Sequence, residues 1–179
     1  MPIIISGFTS LAQYCLYMAK PKKPSKLPMC PQCHADALIK HGFYPRKACR
    51  AKDAELRLNP VLIQRYFCKA CHQSCSALPE CIPPRRWYLW DVQEDALKAT
   101  LCGKSYQSIA KVLTPSRGTI ARWVKRFKTQ WHLYADHFRQ YSPKLQRASE
   151  FQSFFSELLS VRALASVMLS CHQGKITIP

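Results

Sequence analysis

Cys30-Pro31-Gln32-Cys33 and Cys68-Lys69-Ala70-Cys71 are two pairs of cysteines, each pair separated by two residues. A C-x-x-C turn aims both of its sulphurs at one point. Two such knuckles offer four thiolates, the donor set of a structural zinc ion. The expected ligands are therefore Cys30, Cys33, Cys68 and Cys71. Four sulphurs leave no open position for substrate or water, so the Zn2+ would stabilise a fold and perform no chemistry. His34 and His72 each follow a knuckle, where ribbons usually carry glycine. Beside a filled thiolate site they read as exposed or as neighbours of the ligands. Cys75 and Cys81 downstream, and Cys49 between the knuckles, are rival ligands, whereas Cys15, Cys102 and Cys171 fit apolar helix faces and read as core.

A metal held by two distant knuckles needs elements that bring them together. Val61-Leu62-Ile63-Gln64-Arg65-Tyr66-Phe67 is β-branched and aromatic, a strand running into the second knuckle. Ile39–Tyr44 reads as a strand leaving the first. Turn signals stand at His41-Gly42, Tyr44-Pro45 and Asn59-Pro60. Between the knuckles lie residues 34 to 67, longer than the common ribbon spacing, and the basic 46–57 stretch supplies the excursion this requires. Ahead of the module, Ile3–Ile5 reads as a strand, Ser10–Ala19 as a short helix, and residues 20–26 as a Pro- and Lys-rich linker.

The rest of the chain has helical period. Leu89, Val92, Ala96, Leu97 and Leu101 share a face, and Gly103 stops that helix. Ser105 caps a helix over Tyr106–Leu113, Thr114-Pro115-Ser116 turns, and Ser116 caps a third helix through Lys128, which either breaks near Thr129 or runs to about Gln140. This is helix-turn-helix grammar. Ile109, Leu113, Ile120 and Trp123 form the shared core and Phe127 extends it. Ser116, Arg117, Thr119 and Arg122 are left on the outer face of the helix that enters a major groove. Arg117 and Arg122 suit guanine edges or phosphates, while Lys125, Arg126 and Lys128 suit the backbone. At the turn, Thr114 stands where glycine is usual and Pro115 where an aliphatic is usual.

The charge agrees with that partner. The chain carries 27 Lys+Arg against 10 Asp+Glu, a formal +17. Such an excess favours a polyanion, because each phosphate neutralised releases condensed counterions. No secretory leader is legible at Met1-Pro2-Ile3-Ile4-Ile5, and no apolar run reaches spanning length, so a cytoplasmic protein without a membrane is expected. In that compartment thiols stay reduced and paired cysteines read as metal ligands. No catalytic centre is expected. Asp91, Glu94 and Asp95 crowd one helix, where they read as solvent-exposed partners of its dipole, and neither a dispersed carboxylate triad, a His-x-His pair nor a Gly-rich phosphate loop is legible.

Cys30-Pro-x-Cys33, His41-Gly42-Phe43-Tyr44-x-Arg46, Arg65-Tyr66-Phe67-Cys68-x-x-Cys71 and Ser76-Ala77-Leu78-Pro79, followed by Ser105-Tyr106-x-x-Ile109-Ala110 and Thr119-Ile120-x-Arg122-Trp123, resemble a known pattern. It is that of insertion-sequence, transposase-associated proteins of the uncharacterised DUF type, in which a zinc ribbon precedes a helix-turn-helix. The likeness covers about residues 28–128. It implies the DNA-recognising or accessory part of a mobile element.

The expected fold is α+β, mostly α, in four segments. Residues 1–27 hold a strand, a helix and the basic linker; 28–84 form the zinc ribbon; 85–142 form the helix-turn-helix DNA-binding domain; 143–179 form a long C-terminal helix. The expected partner is double-stranded DNA, with a transposase catalytic subunit a further candidate. Phe151, Phe154, Phe155, Leu158 and Leu159 make a broad apolar face, read either as a homodimer interface or as packing within the chain. An RNA-binding or protein-docking ribbon, with Phe43, Tyr66 and Phe67 stacking on unpaired bases, is the alternative, alongside a transcriptional regulator.

Overall fold

The computed structural model describes residues 2–20, 27–47, 58, 60–174 and 176. Residues 21–26 of the basic linker, most of the 46–57 excursion and Cys49 lie outside the described residues. The chain is α+β, with a mixed four-stranded sheet and seven α-helices among the described residues. It divides into two compact units, Met1–Leu89 and Trp90–Pro179.

The first unit is built on the sheet. Its strands are β1 (Ile3–Ile5), β2 (Leu38–Arg46), β3 (Val61–Cys68) and β4 (Ser74–Pro79), in the order β1-β4-β3-β2. β1 runs parallel to β4 and the other pairs are antiparallel. Helix α1 (Leu11–Ala19) starts at Ser10, whose hydroxyl accepts the Gln13 N–H, and it buries Leu11 and Tyr14. The Tyr14 hydroxyl donates to the Leu62 carbonyl at 3.0 Å, tying α1 to β3.

Two expected turns belong to strand β2 instead. Lys40 pairs with Tyr66 and Phe43 with Gln64, so His41 and Gly42 together oppose Arg65. This is a β-bulge. Gly42 takes φ +73°, and the buried Gln64 amide donates to its carbonyl at 2.7 Å. Pro45 pairs with Leu62 on an edge strand, where a missing N–H breaks no ladder bond inside the sheet.

The second unit is helical: α2 (Trp90–Leu101), α3 (Tyr106–Val112), α4 (Arg117–Phe138), a 3-10 turn at Arg139–Tyr141, α5 (Pro143–Arg147), α6 (Phe151–Val161) and α7 (Leu164–Gln173). Gly103 ends α2 at φ +79°, and the Lys104 N–H closes back on the Ala99 carbonyl. α4 runs unbroken through Thr129, about 33 Å at 1.5 Å per residue. Its buried stripe of Ile120, Trp123, Val124, Phe127, Trp131, Tyr134, Ala135 and Phe138 repeats every three or four residues. The core sits between α2, α4, α6 and α7, and Phe127 meets Phe155 edge to face.

The expected long C-terminal helix is two helices, α6 and α7, bent by 102°. Arg162 and Ala163 are extended, and the first N–H of α7, from Leu164, donates to the Glu94 carboxylate at 2.6 Å. Lys98 pairs with that carboxylate at 2.6 Å. Glu94 is therefore a clasp on α7 and not a solvated dipole partner. The bend returns Leu164, Val167, Met168 and Cys171 to the core that Phe154, Phe155, Leu158 and Leu159 already fill. The apolar face of α6 is thus buried within the chain. No single helix among the described residues is long and apolar enough to cross a membrane.

Candidate metal centre and nucleic-acid interface

The two knuckles repeat one geometry. The His34 N–H bonds the Cys30 carbonyl and the His72 N–H bonds the Cys68 carbonyl, each at 2.9 Å. The Cys30 N–H reaches Ala35 and the Cys68 N–H reaches Gln73, each at 3.0 Å. To close this loop the residue after the second cysteine must turn left-handed. His34 has φ 60° and His72 has φ 55°, the left-handed region that favours glycine. Both histidines are exposed, and neither joins the sulphur cluster. The second knuckle links β3 to β4, the first leads into β2, and a Lys69 N–H to Ala37 carbonyl bond joins them.

This pairing gathers the four sulphurs of Cys30, Cys33, Cys68 and Cys71 within 4.8 Å of one another. Cys30 and Cys71 lie 3.7 Å apart, Cys33 and Cys68 3.6 Å. Metal–sulphur bonds of about 2.3 Å give a tetrahedron with edges of about 3.8 Å, so the residues fit a closed four-sulphur site. Leu38, Cys75, Ile3 and Tyr66 pack beneath it.

Electrostatics favours a cation there. Backbone N–H groups of Cys33 and Gln32 point at Cys30 and hold its thiol down at about 6. The Gln73 N–H acts on Cys71 in the same sense, but burial and the sulphurs of Cys33, Cys68 and Cys30 outweigh it and push that thiol up to about 12. A thiolate at Cys30 forms readily, and one at Cys71 is resisted by burial and the sulphurs around it. A divalent ion removes that resistance by replacing the protons.

The rival cysteines stay outside the cluster. Cys75 is buried on β4, its thiol raised by burial and then by nearby Cys30, and Cys81 is buried elsewhere in the unit. Cys171 is core as expected, but Cys102, beyond the end of α2, is exposed, and Cys15 is half-buried.

In the helical unit, Ile109, Ile120, Trp123 and Phe127 are buried where the sequence put them, and Leu113 is partly so. The turn needs no glycine. α3 ends in extended backbone at Leu113, Pro115 is buried, and Ser116 begins α4. The Ser116 hydroxyl accepts the Thr119 N–H and lies 3.0 Å from the Thr119 hydroxyl, which accepts from Arg122 at 3.3 Å. Ser116 and Thr119 therefore build the helix start and steady Arg122. Arg117, Arg122, Lys125 and Lys128 are exposed, and Arg126 is half-buried. The Lys128 ammonium lies 5.7 Å over the Phe151 ring, which holds it near α6.

Three features of the sites escaped the sequence reading: the left-handed histidines, the Glu94 clasp, and a set of arginines on the sheet. A non-glycine residue directly after each C-x-x-C pair is the legible signal for the first.

No curated protein and no solved structure matches the chain. Residues 30–123 match the profile of a family described as a domain of unknown function, DUF6431. That segment starts at the first of the clustered cysteines and ends at Trp123 on α4. Matched over more than half its length, the chain belongs to the DUF6431 family.

Proposed function

We propose that the protein is a zinc-containing, sequence-preferring binder of duplex DNA, and that it serves a mobile element as its DNA-recognition or accessory part. In this reading the sheet unit is a zinc ribbon and α3–α4 a helix-turn-helix. The observation that carries it is the start of α4. Arg117 and Arg122 are exposed, Lys125 follows on the same solvent face, and the first turn holds no acid to repel a phosphate. The positive end of the helix dipole adds to that attraction. The formal +17 supports a polyanionic partner, and the four clustered sulphurs support zinc. The mobile-element role rests on the resemblance in motif order alone. The RNA reading is weaker, because Tyr66 and Phe67 are neighbours on one strand and point to opposite faces, and Tyr66, which shares a face with Phe43, is packed against the cysteine cluster.

Fluorescence anisotropy on duplexes selected from a random pool tests this. Arg122→Ala should cost about 1–3 kcal/mol on the preferred duplex and little on random DNA. Lys125→Ala should weaken both and lower the salt slope by about one. Equal losses on the two duplexes for Arg122→Ala remove that residue from base reading. Tighter binding to single-stranded RNA at matched salt would overturn the duplex assignment.

A further inference from the structure

The sheet unit contains a cleft that the metal site and α4 do not account for. It has a volume of 240 Å³ and is lined by Tyr44, Arg46, Arg65, Ser74, Ser76 and Arg85, among others. Strand pleating explains the gathering. Tyr44 pairs with Ile63, and Arg65 with Ser76, so alternation puts Tyr44, Arg65, Ser74 and Ser76 on one face across three strands. The Arg65 guanidinium lies 5.0 Å over the Tyr44 ring, a cation–π contact that tethers it beside β2. Among the described residues no carboxylate lines the cleft, and neither Arg65 nor Arg85 has an acidic partner.

Arg85 is held there against its own preference. Its φ of 57° is left-handed, a conformation costly to any L side chain except glycine. Arg46 enforces it, donating one amino group to the Pro83 carbonyl at 2.8 Å and to the Arg86 carbonyl at 3.2 Å, on either side of Arg85. A buttressed, strained arginine facing a second arginine and two hydroxyls, with no acid among the described residues that line the cleft, is an arrangement for one tetrahedral anion.

We propose that this cleft holds a single backbone phosphate of duplex DNA, gripped by Arg65 and Arg85 with Ser74 and Ser76 as hydroxyl donors, and with Arg46 as the positioning residue. This deepens the duplex-binding reading and rests on it. It gives the ribbon its own grip on the duplex, separate from α4.

The test compares wild type, Arg65→Gln, Arg85→Gly and the double variant on a fluorescein-labelled random duplex across a salt series. Metal content and circular dichroism serve as fold checks. Both arginines are exposed, so their replacement leaves the core intact. Each single variant should lower the salt slope by about one, and the double variant by no more, because one phosphate is lost in every case. Arg85→Gly should also raise the unfolding midpoint while it weakens binding, since glycine is at ease where arginine is not. Wild-type slopes in the variants would overturn the cleft and leave the α4 reading standing. A wild type that binds no duplex would overturn both. Titration with inorganic phosphate forms the last arm: saturable binding lost in Arg65→Gln, with an unchanged duplex slope, would make the ligand a free anion and overturn the backbone assignment.

Discussion

Replacing His34 with glycine should stabilise the metal-loaded protein, although it deletes a whole side chain next to a ligand. His34 sits at φ 60° because the knuckle closes only through a left-handed residue. That conformation costs an L residue about 1–2 kcal/mol. Glycine removes the cost but has more freedom to lose from the unfolded chain, about 0.4–1 kcal/mol. The net expectation is a gain between zero and about 1.6 kcal/mol, centred on about 0.8, a factor of about 4 in the folded-to-unfolded ratio. The exposed ring should take little with it. His72→Gly should gain less, because the His72 ring lies 6.1 Å from that of Phe67 and this contact is lost. The assay is urea unfolding with zinc in slight excess, followed by circular dichroism, with chelator competition run in parallel. His34→Ala is the control, since alanine keeps the strain and loses the ring. If His34→Gly and His34→Ala are equally destabilised, the imidazole matters and the backbone account fails. A fall in metal affinity for both would make His34 a partner of the metal.

Three further outcomes are expected. Phe155→Ala should destabilise the helical unit by about 3–5 kcal/mol, because the ring is fully buried against Phe127, Tyr134 and Phe154; thermal unfolding measures this. Glu94→Ala should cost about 1.5–3 kcal/mol and loosen α7 first, seen as faster amide exchange over Leu164–Val167, since α7 loses its charged acceptor. Ser116→Ala should cost about 1 kcal/mol of stability, because its hydroxyl caps α4, and should relax DNA sequence preference less than Arg122→Ala, since it steadies Arg122 only through Thr119; an equal or larger relaxation would make Ser116 itself a base reader.

Local signals were legible where one residue type dictates one geometry. Ser10, Ser105 and Ser116 mark helix starts because each hydroxyl takes an orphan N–H. The two C-x-x-C pairs predict a sulphur cluster because they are useful only together. What stayed hidden depends on partners distant in sequence. Nothing in Val161-Arg162-Ala163 breaks a helix; the α6–α7 bend comes from Glu94, about seventy residues earlier, and from a core that Leu164 and Val167 must reach. Gly42 reads as a turn and becomes a bulge because the Gln64 amide bonds its carbonyl. Cys102 reads as core by period, yet falls just past the point where Gly103 ends the periodic stretch. The arginine cleft needs strand register, which no single stretch of sequence encodes.

The most direct test is native mass spectrometry of the freshly purified full-length chain, paired with a thiol count. The account predicts one zinc ion per chain, lost in Cys33→Ser/Cys71→Ser together with the sheet unit's β signal, while the helical unit keeps its own. A metal-free chain that retains the full β signal, with the thiols of Cys30, Cys33, Cys68 and Cys71 all open to reagent, would contradict it.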